Sequence, residues 1–210
     1  MKSKAIVFGQ GFVGRATAQA LNLDVEWHDP VKGLGVKNWT AEHAFICVPT
    51  PGDDHGLDAS AVGECLRHLR VNKFQGQIVI RSTCQPASLM ALQQLYGDII
   101  YFPEFLRERL AYYDSANPHL VVIGGNHTKK FERWLRNRNH GGTAKWIVTD
   151  IQTASTIKLG LNSALASKVA VFNALYDYTK HANCTSSGEF ETADLMIFQE
   201  TLTLQRNPQQ

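Results

Sequence analysis

Lys4-Ala5-Ile6-Val7-Phe8-Gly9-Gln10-Gly11-Phe12-Val13-Gly14 is the stretch that decides the fold of this chain. An apolar strand runs into G-x-G-x-x-G and a helical pattern follows at once, the context that makes a common glycine motif specific. Gly9 permits the tight turn, Gly11 lets backbone approach a pyrophosphate, and Gly14 lets helix and strand pack closely. Unpaired N–H groups at the helix start, with the positive end of the helix dipole, then face the phosphates. Phe12 and Val13 complete the loop. Asp29 ends the next apolar run at the separation expected of an acid that binds ribose hydroxyls, and its carboxylate would repel a 2'-phosphate. The motif therefore predicts NAD rather than NADP.

Outward from the motif, short apolar runs alternate with helical patterns, the signature of a parallel sheet flanked by helices. Strands are expected at 4–8, 25–28, 44–48, 77–81, 98–101, 120–123 and 145–148, and helices between them at 58–71, 86–96 and 128–136. Near Asp150 the pattern changes to one long helix reaching about His181. Ile157, Leu161, Leu165 and Val169 form an apolar stripe on it, and Ala154, Ala164, Ala166 and Ala170 let another surface approach. A linker at 183–188 and a short helix at 189–204 follow. The expected fold is α/β: a Rossmann-like, doubly wound, mainly parallel sheet in a domain at 1–149, then a helical segment at 150–210.

Composition removes several function classes. The 210 residues are 44% hydrophobic and 19% charged, with a formal charge of +2, so charge gives no reason to expect nucleic acid or an anionic membrane as partner. No apolar run reaches the length of about 18 residues that spans a bilayer. The start, MKSKAIVFGQ, is too short in apolar residues for a signal peptide, so a cytoplasmic location is expected. The basic stretch from Lys129 to His140 reads as a solvated helix face. Cys47, Cys65, Cys84 and Cys184 are scattered without C-x-x-C spacing, and neither disulfides nor a metal site are expected. Cys47 and Cys65 read as small buried hydrophobes.

Three further segments carry polar chemistry. Val48-Pro49-Thr50-Pro51 forms a stiff loop at a strand's carboxyl end, where ligands of open α/β sheets bind. Ser82-Thr83, before Cys84-Gln85-Pro86, repeats that arrangement, its hydroxyls serving as helix caps or as ligand contacts. In Pro103-Glu104-Phe105-Leu106-Arg107-Glu108, two carboxylates stand four apart and share one face if the segment turns helical. Lys158 and Asn162, also four apart, share a face of the long helix.

In this order, GQGFVG, VPTP, ST-x-x-P, PEFLRE running on to Ala111, Asp114 and Asn117-Pro118, and Ile157-Lys158-Leu159-Gly160-Leu161-Asn162 make the chain resemble the UDP-glucose/GDP-mannose dehydrogenase family. The resemblance implies NAD-dependent oxidation of the C6 alcohol of a nucleotide sugar, in that family two hydride transfers ending in a carboxylate. It places Thr83, Glu104, Glu108, Lys158 and Asn162 at active-site positions. Gly9, Gly11, Phe12, Val13, Gly14, Asp29, Val48, Pro49, Thr50, Ser82 and Thr83 fall on cofactor positions. Lys158 would stabilise a developing alkoxide, Asn162 would hold a water or hydroxyl, and Glu108 or a water ordered by Thr83 would move the proton. The long helix would build a homodimer.

Two departures qualify the resemblance. Between Asp29 and Phe45 the chain is shorter than in the family, so a loop containing Gly33 and Gly35 is expected in place of a helix. The family's G-F-G-G-x-C segment, with its nucleophilic cysteine, has no counterpart in these 210 residues. Cys184 lacks the glycine-rich setting, and Cys84 occupies a position that is usually apolar in the family. The second oxidation proceeds from a thiohemiacetal, so this chain alone is expected to perform at most one alcohol oxidation. Two alternatives stand beside that reading: a non-catalytic NAD-binding, dimerising module needing a partner chain, such as a separately encoded C-terminal domain, and a single-step β-hydroxyacid-type dehydrogenase.

Overall fold

The structure, a computed structural model, describes residues 2–54 and 56–181. The linker and short helix expected at 183–204, and Cys184 with them, lie outside the described residues. In chain order the elements are β1 (Ser3–Phe8), α1 (Phe12–Ala20), β2 (Leu23–His28), β3 (His43–Ile46), β4 (Gly52–Asp53), β5 (Gly56–Leu57), α2 (Ser60–Val71), β6 (Gln77–Ile80), α3 (Pro86–Tyr96), β7 (Ile99–Tyr101), α4 (Ala111–Ala116), β8 (Leu120–Gly124), α5 (Lys129–Arg136), β9 (Lys145–Thr149) and α6 (Ile151–His181). All seven predicted strands form, within one or two residues of the expected ends. They make one sheet of order β2-β1-β3-β6-β7-β8-β9, in which only the β7–β8 pair is antiparallel. The chain divides into two units, the first ending at Gly160 and the second beginning at Leu161.

Strand alternation explains the two-sided core of the first unit. Ile6, Phe8, Ala44 and Ile46 point to one face and meet Leu66 and Leu69 of α2, Leu89 of α3 and Ile151 and Ala154 of α6. Ala5, Val7, Phe45 and Val79 point to the other, where Phe131 and Leu135 of α5 cover them. α5 is therefore not simply a solvated helix. Its charged residues face out while two large apolar side chains, both fully buried, close the sheet's second face.

Between β2 and β3 the chain forms the expected loop in place of a helix: a short 3-10 turn at Pro30–Lys32, capped by Gly33 at φ +67°, and an irregular stretch. Downstream, the segment after Pro103 differs from the helical reading. Glu104 turns its carboxylate back to accept the Leu106 N–H at 2.9 Å, and regular structure resumes only with a 3-10 turn at Glu108–Leu110. A side chain bonded to nearby backbone competes with the helix ladder. Glu104 and Glu108 consequently do not share a helical face.

At 150 the predicted change of pattern is a true helix start. Asp150 accepts the Thr153 N–H and the Thr153 hydroxyl, each at 2.7 Å, and the backbone bond first of all holds its carboxyl below the usual range. Within the second unit, Leu165 and Val169 of the predicted stripe are 59% and 60% exposed.

His43 and His140 are buried on the second face, and desolvation pushes each down to about 4. Below the ordinary histidine value the unfolded chain takes up protons that these imidazoles refuse, so stability falls between about pH 6.5 and pH 4 and is indifferent to them above that window. In urea titrations across this range, His140→Leu should lose less stability than wild type by on the order of 1 kcal/mol per pH unit. Parallel profiles would show that His140 is not held neutral.

Candidate functional site

β1 and β3 are neighbours whose connections leave in opposite directions, and the crevice at their carboxyl ends is where an open α/β sheet binds ligands. A cavity of about 740 Å³ opens there. Gly9, Gly11, Phe12, Val13, Asp29, Val48, Pro49, Thr50, Ser82, Thr83 and Glu104 line it, which brings together most of the sequence-predicted positions.

The three glycines of the motif have separate physical reasons. Gly9 sits at φ +87°, and a Cβ there would strike the Cys47 carbonyl oxygen. A Cβ on Gly14 would strike the Gly9 carbonyl oxygen. Both are required by the packing of the protein itself. Gly11 is different: its backbone is ordinary extended chain and nothing lies within 4 Å of where its Cβ would be. It is the N-cap of α1, with no side-chain cap and no acidic residue in the first turn. The orphan N–H groups of α1 therefore face open space, a cradle that a Cβ would fill and that suits a pyrophosphate.

Asp29 stands beside this cradle, accepting the Gln10 N–H at 2.8 Å. Lys32 Nζ is 3.9 Å from Asp29 and donates to the Gln10 carbonyl at 2.5 Å. With no helix between β2 and β3, Val31 is almost wholly exposed and this end of the cavity is open, as the short spacer implies. α2 supplies the facing wall through Ala61, Glu64, Cys65 and His68, an i, i+3, i+4, i+7 set. These residues escaped the sequence reading, although their helical spacing was there to find.

The two hydroxyl-bearing loops latch to each other. Ser82 Oγ donates to the Val48 carbonyl at 2.7 Å, and Thr50 Oγ1 donates to the Thr83 carbonyl at 2.7 Å. Ser82 and Thr50 thus first hold the cavity wall in shape, while the Thr83 hydroxyl makes no hydrogen bond to a described residue. Neither hydroxyl caps α3.

Behind this wall α6 delivers Lys158. Ala154 packs where a Cβ on Gly124 would be, and Ser155 Oγ donates to the Cys84 carbonyl at 2.6 Å, fixing the helix start against the sheet. One turn on, Lys158 Nζ donates to the Glu104 carbonyl at 2.6 Å and lies 3.1 Å from its carboxylate. The lysine is 4% exposed, so truncating either partner would strand a charge at a cost of roughly 3 kcal/mol. Arg81, also missed by the sequence reading, lines the cavity from below. It is buried, lies 4.3 Å over the Phe102 ring, and burial lowers its pKa. Its signal was a cation ending the apolar run QIVI.

The remaining predicted residues stand elsewhere. Glu108 is exposed on its 3-10 turn, and Asn162 is an exposed helical residue of the second unit. Arg107 does not line the cavity but grips Asp114, with a 2.8 Å ion pair and a 2.9 Å backbone N–H bond, which ties the PEFLRE loop to α4. Cys47, Cys65 and Cys84 are buried, and desolvation pushes each thiol up to about 12, so none supplies a thiolate at neutral pH.

The contrast among the glycines is testable. Gly11→Val should leave stability within about 1 kcal/mol of wild type, the poorer N-cap being its main cost, since nothing lies within 4 Å of the added Cβ. It should weaken NAD binding about tenfold or more in calorimetric titration, because the side chain fills the phosphate approach. Unchanged affinity would remove the α1 N-terminus from the cofactor site.

Residues 35–137 match the model of the UDP-glucose/GDP-mannose dehydrogenase family, NAD binding domain. A UDP-glucose 6-dehydrogenase of Rickettsia felis is 36% identical over 151 residues, 65% of this chain but 33% of that enzyme. The chain thus spans about a third of that relative's length. The fold is that of a UDP-glucose dehydrogenase from Pyrobaculum islandicum, at 20% identity and TM-score 0.67 over 88% of this chain and 57% of that one. An imine reductase variant from Myxococcus stipitatus, solved with NAD+, aligns at TM-score 0.68 and 14% identity over 98% of this chain and 74% of that one. Over residues 35–137 the chain thus matches the NAD-binding domain of the UDP-glucose/GDP-mannose dehydrogenase family, and NAD is the cofactor that the match supports.

Proposed function

We propose that this protein is an NAD-dependent oxidoreductase acting on a CH–OH group of a nucleotide sugar, and that alone it performs a single oxidation to the aldehyde. The observation that carries the reading is the Lys158–Glu104 pair, held between α6 and the loop after β7, with the Glu104 end lining the cofactor cavity. NAD, when bound, accepts the hydride. The orphan N–H groups after Gly11 hold its phosphates and Asp29 its ribose. At the alcohol, the Glu104 carboxylate, or a water bonded to the Thr83 hydroxyl, takes the hydroxyl proton, and the Lys158 ammonium stabilises the oxygen as its negative charge grows. The buried thiols provide no route to a thiohemiacetal, which supports a stop at the aldehyde. A cytoplasmic location fits this chemistry, and among the described residues no helix is long and apolar enough to cross a membrane.

Incubation with NAD and UDP-glucose or GDP-mannose should yield NADH and aldehyde, with turnover lowered about a hundredfold or more in Lys158→Ala. Turnover indifferent to that change would refute the assignment of the lysine. One observation favours a second reading. Lys158 is closed off by Glu104 and does not itself line the cavity. This suits a module that binds NAD but turns over only when a further segment or partner chain reaches the site; NAD binding with no turnover of either sugar would select it.

The exposed stripe of α6, with Leu165 and Val169 uncovered within their own unit, supports assembly of two copies through this helix. Sedimentation at micromolar concentration should give a dimer, and Leu165→Glu with Val169→Glu should give a monomer; a monomeric wild type would end this part of the reading.

A further inference from the structure

A second cleft, of about 770 Å³, opens at the amino-terminal edge of the same sheet, the opposite end of β1, β3 and β6 from the cofactor cavity. Eight buried side-chain nitrogen or oxygen atoms lack a hydrogen-bond partner among the described residues, and four of them belong to three residues of this cleft's lining: both ring nitrogens of His43, Gln77 Oε1 and Trp134 Nε1, each covered in the structure. Buried polar groups are nearly always satisfied, so four orphans in one place call for an explanation. They are held there by regular structure. His43 and Gln77 are paired across β3 and β6, and Trp134 stands on α5 with its ring 4.1 Å from the imidazole. Gln77 Oε1 is near enough to raise the proton affinity of His43, but no bond of proper geometry joins them. Desolvation outweighs that effect and keeps the ring neutral at pH 7, so it offers one donor and one acceptor.

The rim has a consistent sign. Lys4, Lys73, Lys130 and Arg133 line the cleft against the single carboxylate of Glu42, which accepts the Ser3 hydroxyl at 2.5 Å. None of the four cations makes an ion pair among the described residues. Trp39 and Trp134 provide flat walls. We infer that this cleft binds a small organic anion with a planar, uncharged, hydrogen-bonding head, the chemistry of a mononucleotide or a heteroaromatic carboxylate. The head meets His43, Gln77 and Trp134, and the anionic end meets the basic rim. The site is separate from the cofactor cavity by the length of the strands, about 13 Å for four residues.

The test is equilibrium dialysis of the full chain against AMP, UMP, GMP, CMP, nicotinate and inorganic phosphate, all with saturating NAD. Saturable binding of a mononucleotide or of nicotinate is expected, retained in Gly11→Val and weakened at least tenfold in Gln77→Leu and in Arg133→Glu. The substituted residues reach the cleft from β6 and α5, so loss in both variants, with circular dichroism unchanged, is not a folding defect. Which probe binds distinguishes a phosphate from a carboxylate ligand. Inorganic phosphate binding as tightly as every organic probe, displacement by NAD, indifference to both variants, or no binding at all would each overturn the inference, the last leaving a cleft that holds only water.

Discussion

The close passage of the turn after β1 beneath the end of β3 is the constraint on which the rest of the molecule depends. Gly9 lies against the Cys47 carbonyl and Gly14 against the Gly9 carbonyl, with no room for a side chain at either point. Because the turn is that tight, α1 starts immediately at the carboxyl edge of the sheet with its free N–H groups directed at the crevice. A looser turn would move the phosphate cradle away from Asp29, the latched loops and Glu104 together. The demand on Gly9 and Gly14 is therefore internal, whereas the protein's own packing makes no demand on Gly11, which borders the open end of α1. One motif thus holds two glycines that packing requires and one that it does not, and only the geometry separates them.

Around that turn the walls are held by polar bonds between segments far apart in sequence. Ser82 and Thr50 lock the VPTP loop and the Ser82-Thr83 turn to each other, Ser155 ties α6 to Cys84, and Arg107 ties the loop after β7 to Asp114. The Lys158–Glu104 pair is the last of these ties and the one made of two charged side chains at the cavity margin. At that margin the pair holds α6 to the loop after β7, each charged group satisfying the other in a setting that water scarcely reaches. Arg81, buried against the Phe102 ring with its Nε unpartnered among the described residues, adds a positive charge that interacts with Glu104.

The two edges of the sheet divide the polar groups by circumstance. At the carboxyl edge, backbone N–H groups and a carboxylate stand ready for a ligand that the fold itself implies. At the amino edge, unpartnered groups of His43, Gln77 and Trp134 stand below a basic rim with no such precedent in the motif. Parallel strands make this possible, because every strand contributes a residue to each edge.

The sequence by itself determined the seven strands, the identity of the cofactor and the place of the glycine turn before α1. It could do so because strand alternation, glycine spacing and a strand-ending acid are local consequences of backbone sterics and charge. The shortened spacer after Asp29 was legible in the same way, from chain length alone. What only the tertiary structure decided was which polar residues meet. The spacing of Glu104 and Glu108 suggested one helical face, but the bonds of Glu104 to Lys158 and to the Leu106 N–H hold the segment out of a helix, and Glu108 stays on the surface. Lys158 and Glu104 are 54 residues apart and His43 and Gln77 are 34 apart; neither pairing leaves a periodic trace, because contacts made through sheet order and helix packing depend on where whole elements dock rather than on the spacing of residues along the chain.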